Sequence, residues 1–206
     1  MKSYTMYGYI LALLIPTYLF CNIEVYFSPQ DHIKSHLIER IRHEKSSIKG
    51  ALYLLFDRDV IQELIAAHDR GVKIEIIIDK GNLESEWNKI PQVHKAGISV
   101  FVYKSKDGIL HDKFFIFESN KGNKPVLWTG SFNITYTADK FNRENVVVLE
   151  DGHVITAFKH EFEQIKKKSS AYRYKKTHAY KHTNHRYRKK SRHHERVMDA
   201  HRAIVH

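Results

Sequence analysis

Two short segments indicate the fold and chemistry of this chain: His111–Phe117, which reads HDKFFIF, and Gly130–Asn133, which reads GSFN. Side chains alternate across a β-strand, so a His and a Lys two residues apart point to the same face. An imidazole can attack a phosphorus atom, and an ammonium can hold the negative oxygens around it. Ser131 and Asn133 repeat this spacing on the next apolar run with hydroxyl and amide donors. We therefore predict that two neighbouring strands present four phosphate-binding groups at one place.

The combination of His-x-Lys with Gly-Ser-x-Asn occurs once in the chain. It resembles the motif of the phospholipase D superfamily, and specifically the small, single-motif, endonuclease-like branch. Glu118 stands where the family pattern has Asp, and the segment from Glu118 to Pro125 is a few residues longer than usual. On a regular strand Glu118 is out of phase with His111 and Lys113, so we predict a structural role for it, as for Gly130.

The resemblance covers roughly residues 23–165 and implies a role for each residue of the motif. His111 would attack phosphorus and form a phosphohistidine. Lys113, Ser131 and Asn133 would bind the non-bridging oxygens and stabilise the charge that develops on them.

The remaining chemistry is also implied by the resemblance. Glu144 would orient His111 and favour its imidazolium form. A second His would protonate the leaving oxygen and then activate water; because the chain carries one motif, a homodimer sharing one active site on its two-fold axis is expected. The cationic groups would take the place of a metal, so neither a metal nor another cofactor is expected.

Alternating strand and helix patterns predict an α/β fold, here a phospholipase D-like mixed β-sheet flanked by helices. The catalytic domain is predicted to cover residues 23–168, and Asp79 is predicted to cap or form a turn rather than bind a metal. Strands are predicted at residues 23–28, 48–56, 73–79, 99–103, 111–117, 125–128 and 145–149. Helices are predicted from an Asp31 cap to about residue 43, from Asp57 or Asp59 to Gly71, at 87–95 and at 154–167.

The N-terminal segment Met6–Cys21 is apolar but shorter than the ~20 residues of a typical membrane-spanning helix. It suits the apolar region of a secretory signal, although no small-x-small cleavage site follows it. Residues 1–22 are therefore predicted to be a signal peptide or a retained membrane anchor. The protein would then be exported, periplasmic or secreted, or membrane-anchored. Cys21 is the one cysteine, which excludes an intramolecular disulfide.

The C-terminal segment carries the charge of the chain. The formal net charge is +11, and residues 166–206 hold 14 Lys or Arg against 2 acidic residues, so the rest is near neutral. Residues 169–206 lack apolar periodicity and are predicted to be a disordered basic tail rich in His and Tyr. Such a tail can bind nucleic acid by charge and stacking, bind an anionic membrane, take up adventitious metal, or have no dedicated partner.

Three functions follow from these observations. The first is a metal-independent endonuclease acting on DNA or RNA, favoured by the single motif, the small body and the basic tail. The second is a phospholipase D-type hydrolase of phospholipid head groups, for example of phosphatidylcholine or cardiolipin. The third, a non-catalytic binder of nucleic acid or membrane, is disfavoured because a binder needs no nucleophile.

Overall fold

Strands and helices alternate along residues 22–106 and 108–174, which this computed structural model describes. The strands are β1 (Ile23–Phe27), β2 (Ser47–Leu52), β3 (Lys73–Asp79), β4 (Ser99–Tyr103), β5 (Lys113–Phe117), β6 (Val126–Gly130), β7 (Asn145–Leu149) and β8 (Ser169–Ala171). The helices are α1 (Ile33–His43), α2 (Arg58–Asp69), α3 (Gly81–Glu84), α4 (Ile90–Lys95), α5 (Tyr136–Lys140) and α6 (Gly152–Lys167).

The strands form one mixed sheet in the order β1-β7-β6-β5-β2-β3-β4-β8. β2, β3 and β4 are parallel to one another, and the other neighbouring pairs are antiparallel. The C-terminal ends of β1, β2, β3, β4 and β6 therefore lie along the same edge as the N-terminal ends of β5 and β7. We call this the site edge, because the motif residues lie there.

Both faces of the central sheet are covered by helices, which explains why β5 is entirely buried. Phe115 and Phe117 belong to the larger apolar cluster, which includes the inward residues of α1, α2 and α4. Phe114 and Ile116 point the other way and pack with residues of α6 such as Phe162. A continuous apolar run is the pattern expected of a strand buried on two faces.

The predicted α/β fold with a mixed sheet is confirmed, with local differences at the helix starts. α1 begins at Ile33, and its N-cap is His32 in the left-handed conformation (φ 50°) rather than Asp31. The Asp31 carboxylate instead accepts a hydrogen bond from the backbone N–H of Phe27 at 2.8 Å. Asp57 is the N-cap of α2, where its carboxylate accepts backbone hydrogen bonds of the first turn.

Regular structure extends past the predicted domain boundary at residue 168. Ser169–Ala171 form β8, which pairs antiparallel with β4, and the backbone N–H of Tyr172 donates to the carbonyl of Val100 at 2.8 Å. The sequence gives no apolar pattern here because β8 is stabilised by backbone pairing with the edge of β4. The prediction that disorder begins at residue 169 is therefore wrong for these residues.

The two terminal predictions fall largely on other parts of the chain. The apolar segment within residues 1–22 and the tail from residue 175 onward lie outside the described residues. Within the described part of the chain, no helix combines the length and apolar character needed to cross a bilayer.

Candidate active site

His111 and Lys113 meet at the site edge, at the start of β5. His111 lies two residues before the strand and is exposed, whereas Lys113 is its first residue and is 8% exposed. The Nζ atom of Lys113 lies 3.1 Å from Nδ1 of His111 and donates to the His111 carbonyl oxygen at 2.5 Å. The predicted pairing of these two side chains is thus present, although β5 begins later than predicted.

The ammonium of Lys113 is poorly solvated. Its burial lowers the pKa of Lys113 below the ordinary value, although the nearby carboxylates of Asp112 and Glu144 act in the opposite direction. The pKa of Asp112 is raised, chiefly by burial of its carboxyl group and further by the charge of Glu161. A buried cation next to an exposed imidazole gains stabilisation from an anionic ligand, which is what a phosphate group supplies.

Ser131 and Glu144 form a second hydrogen-bonded group at the ends of β6 and β7. The hydroxyl of Ser131 donates to Oε2 of Glu144 at 2.5 Å and accepts from the backbone N–H of Asn145 at 3.1 Å. The side-chain amide of Asn142 donates to the other oxygen of Glu144 at 2.9 Å. The expected contact of Glu144 with His111 is not among the hydrogen bonds between described residues.

Asn133 lies beside the segment that follows β2. Its neighbour Ile134 forms a parallel bridge with Leu55 and donates from its backbone N–H to the carbonyl of Leu54 at 3.2 Å. The side-chain oxygen of Asn133 is buried and has no hydrogen-bond partner among the described residues. Buried amides are normally paired, and a half-turn of this amide exchanges its oxygen and nitrogen.

Glu118 and Gly130, for which structural roles are predicted, both make contacts outside the group of residues predicted to bind phosphate. Glu118 forms an ion pair with Lys159 of α6, at 2.7 Å. A Cβ atom on Gly130 would lie 2.1 Å from the carbonyl oxygen of Asn145. Gly130 thus allows β6 and β7 to approach closely just before Ser131.

Tyr53 contacts the motif directly, and sequence reasoning missed it. It follows the last residue of β2, and its ring centroid lies 4.6 Å from that of His111 with the planes tilted by 48°. The Nζ atom of Lys113 lies 5.2 Å from the centroid of the same ring. No sequence signal marked it, because the apolar run predicts a strand through residue 56 and therefore places Tyr53 in the middle of that strand rather than at its end.

Two buried polar residues, Asp79 at the end of β3 and Asn82 in α3, hold neighbouring segments of the site. Asp79 accepts from the backbone N–H of Gly81 at 2.8 Å, in the predicted turn role, and also from that of Leu110 at 3.0 Å. Asn82 accepts from the backbone N–H of Leu55 at 2.9 Å and donates to the carbonyl of Tyr53. The segments carrying Tyr53 and His111 are therefore fixed to the same turn. Among the described residues, no group of three or more His, Cys, Asp or Glu side chains is arranged to hold a metal ion.

The family model for "Cardiolipin synthase, PLD-like domain" matches residues 37–166, which include the whole motif. The chain belongs to this phospholipase D-like family.

Sequence relatives are named for lipid hydrolysis. "Phospholipase D" of Rickettsia prowazekii (strain Madrid E) is 34% identical over 130 residues, which are 63% of this chain and 60% of that protein. "Mitochondrial cardiolipin hydrolase" of Mus musculus is 33% identical over 131 residues, 64% of this chain and 57% of that protein. The match thus spans about 60% of the length of these curated relatives.

Among solved structures, this chain is similar to Nuc from Salmonella typhimurium, described as a phospholipase D family member. The TM-score is 0.67 at 25% identity, and the match covers 75% of this chain and 99% of that one. NucT from Helicobacter pylori has a TM-score of 0.66 at 21% identity and covers 74% of this chain and 99% of its own, which shows a shared fold.

Proposed function

We propose that this protein is a metal-independent phosphodiester hydrolase that works through a phosphohistidine, with nucleic acid as its first candidate substrate. The observation that carries the proposal is the buried ammonium of Lys113 held 3.1 Å from the imidazole of His111, within a matched phospholipase D-like domain. In the first step, a nitrogen of His111 forms a bond to phosphorus as the bond to the leaving oxygen breaks. Water then attacks phosphorus, the bond to His111 breaks, and a phosphomonoester is released.

The contacts of Lys113 suggest how substrate frees the nucleophile. A Lys113 ammonium can only donate, so in this proposal the contact corresponds to the tautomer of His111 in which Nδ1 accepts and Nε2 carries the proton. Neither nitrogen then offers a free lone pair. A bound phosphate draws Lys113 to its non-bridging oxygens, where Ser131 and Asn133 assist, and His111 is released to attack. In this proposal the carboxylate of Glu144 then accepts a hydrogen bond from the ring N–H of His111 and favours the imidazolium form.

A homodimer sharing one site would supply the second His, and the exposed face of β1 supports it. On this edge strand Ile23 is 60% exposed, Val25 48% and Phe27 55%, all on the same face because they alternate. The row runs to the site edge, where Phe27 pairs with Asn145. An exposed apolar row on an edge strand invites association with a second copy of this chain. Because β5 lies three strands from β1 in the sheet order, a shared site requires the two copies to meet with their site edges facing one another.

The dimer is tested by one charge in this row. Val25→Asp should yield a monomer in analytical ultracentrifugation and lose activity. The control is Ala66→Asp, which places the same charge on the exposed side of α2 and should remain dimeric and active. An active monomeric wild type would exclude the shared site, and a dimeric Val25→Asp variant would exclude this face as the interface.

A phospholipid is the second candidate substrate, favoured by apolar side chains around the site. Large exposed residues lie on three separate connections between strands at the site edge: Trp87 (63%), Ile109 (54%), and Tyr136 (58%) with Phe141 (60%) at the two ends of α5. Aromatic residues can stack on bases, but Ile109 cannot, and exposed apolar side chains with Trp and Tyr are typical of surfaces that contact a bilayer. The names of the sequence relatives agree with this candidate.

One comparison separates the candidates. Wild type, His111→Asn and the control His43→Asn are incubated in EDTA with plasmid DNA, single-stranded RNA, and vesicles of phosphatidylcholine or cardiolipin. His43-Glu44-Lys45 repeats the His-x-Lys spacing just before β2, at the opposite edge of the sheet. Cleavage of nucleic acid by wild type and the control alone would support the nuclease and the nucleophile. Release of head groups with intact nucleic acid would assign the protein to lipid hydrolysis, and no turnover on any substrate would refute the proposal.

A further inference from the structure

The ring of Tyr53 contacts both reactive side chains of the motif. It lies against the imidazole of His111, with 4.6 Å between centroids, and against the ammonium of Lys113, with 5.2 Å from Nζ to the ring centroid. Lys113 in turn lies 3.1 Å from Nδ1 of His111. The three groups therefore all contact one another, and a displacement of the ring would change the contacts of both the imidazole and the ammonium.

Tyr53 is itself held from two sides through its backbone. Its N–H donates to the carbonyl of Asp112 at 2.8 Å, which extends the pairing of β2 with β5 one residue past Leu52 and Lys113. Its carbonyl accepts from the side-chain amide of Asn82, a residue with 0% exposure. These bonds restrain the backbone of Tyr53, and the contacts with His111 and Lys113 are those that its ring makes from that position.

We propose that Tyr53 is a positioning residue for the reaction, whose ring face orients the imidazole of His111 and holds the ammonium of Lys113, and that Asn82 fixes Tyr53 in this place. The proposal rests on the proposed function for its catalytic consequence. The aromatic face is what matters, because a π surface attracts both a neighbouring ring and a cation. The phenolic oxygen has no part in this role.

The ring also affects the charge of Lys113. The charged and titratable groups that face this ammonium are the imidazole of His111 and the carboxylates of Asp112 and Glu144. Burial lowers the pKa of Lys113, and a π face opposes this effect because it stabilises the ammonium form. Removal of the ring should therefore favour the neutral amine, by about 2- to 30-fold in the protonation equilibrium if a cation–π contact of ordinary strength is lost.

The test compares two variants of the full chain. Tyr53→Phe keeps the aromatic face and removes the hydroxyl, and Tyr53→Leu keeps an apolar side chain and removes the ring. Turnover is measured on the substrate found above. Tyr53→Phe should stay within about 3-fold of wild type, whereas Tyr53→Leu should lower kcat by about 10- to 100-fold with little change in KM, because a displaced nucleophile reacts poorly although substrate still binds. The alkaline limb of the kcat profile should move to lower pH in Tyr53→Leu only.

A second readout needs no turnover. The imidazole carbon and proton resonances of His111 are followed by NMR and identified by their absence in His111→Asn. An aromatic ring at 4.6 Å shifts them, so they should keep their positions in Tyr53→Phe and move in Tyr53→Leu. If Tyr53→Leu fails to fold by circular dichroism, Tyr53→Met replaces it.

The outcomes distinguish the two proposals. Equal kcat, pH profile and His111 resonances in Tyr53→Phe and Tyr53→Leu would overturn the positioning role and leave Tyr53 as packing. If wild type hydrolyses no phosphodiester but the His111 resonances depend on the ring as expected, the proposed function fails while the positioning of His111 by Tyr53 stands.

Discussion

Gly130→Ala should destabilise the fold because β6 and β7 leave no room for a methyl group. The new Cβ would lie 2.1 Å from the carbonyl oxygen of Asn145 and 2.9 Å from Cα of Val146. A carbon–oxygen contact is normally at least about 3.3 Å, so the strands must separate by about 1 Å. Overpacking of this kind costs about 1–3 kcal/mol, and the adjacent hydrogen bond from the N–H of Ser131 to Asn145, now 3.0 Å, adds about 1 kcal/mol if lost.

The free energy of unfolding should therefore fall by about 2–4 kcal/mol, a large part of the ~5–15 kcal/mol of a typical domain. Urea unfolding at one protein concentration measures it through the transition midpoint. The matched control is Gly152→Ala in the first turn of α6, where a Cβ would meet no atom within 4 Å. A loss below about 0.5 kcal/mol for Gly130→Ala, as expected for ordinary surface changes, would refute the steric argument.

Three further changes test the charges in and around the sheet. Lys113→Met should reduce turnover by about 10²- to 10³-fold. It should nevertheless raise the free energy of unfolding at pH 7, because burial lowers the pKa of Lys113 and the folded state therefore binds the proton less well than the unfolded state. The gain, measured as the urea midpoint, should shrink as the pH approaches 10.5. Glu44→Gln should lower the free energy of unfolding by about 1–3 kcal/mol in urea titrations. The carboxylate of Glu44 is 2% exposed and accepts hydrogen bonds from backbone N–H groups, including that of Ser119, whereas the NH₂ group of a glutamine would place a donor against a donor. Burial, and then the hydrogen bond to Glu24, raise the pKa of Tyr26 to about 12. Its contribution to stability is therefore complete below pH 10 and is lost as the pH rises from 10 to 12. The urea midpoint of Tyr26→Phe, measured beside that of wild type at each pH, should lack this dependence.

The buried strands were the most predictable part of the fold. β3, β4 and β7 have the bounds that their apolar patterns predict, because strands with a covered face need apolar residues at fixed positions. The strand predicted at residues 48–56 ends at Leu52, and the apolar residues that follow it form the connection to α2, where Leu55 is buried and the others are half-buried. Likewise the helix predicted at 87–95 begins at Ile90, and Trp87 lies exposed in the loop before it.

The residues predicted to bind phosphate could be proposed from the sequence because they are close along the chain and chemically distinctive. Their partners could not all be found in this way. Glu144 was expected beside His111, yet in the structure its carboxylate accepts hydrogen bonds from Ser131, which follows β6, and from Asn142, which lies two residues before it. Spacing in a motif predicts which side chains share a face, but it does not predict which of several donors a carboxylate will accept.

Tyr53, Asp79 and Asn82 show why the frame of a site is harder to predict than its chemistry. Each is an ordinary residue in the sequence, and each becomes part of the site only because the sheet order inserts β5 between β2 and β6. That order places the end of β2 against His111, and the turn after β3 then fixes both segments through two buried side chains. The motif residues therefore carry a sequence pattern typical of phosphodiester chemistry, whereas the residues that hold them are brought there by the topology of the sheet. A search for positioning residues in this family should start from the strand ends that flank the motif rather than from the motif itself.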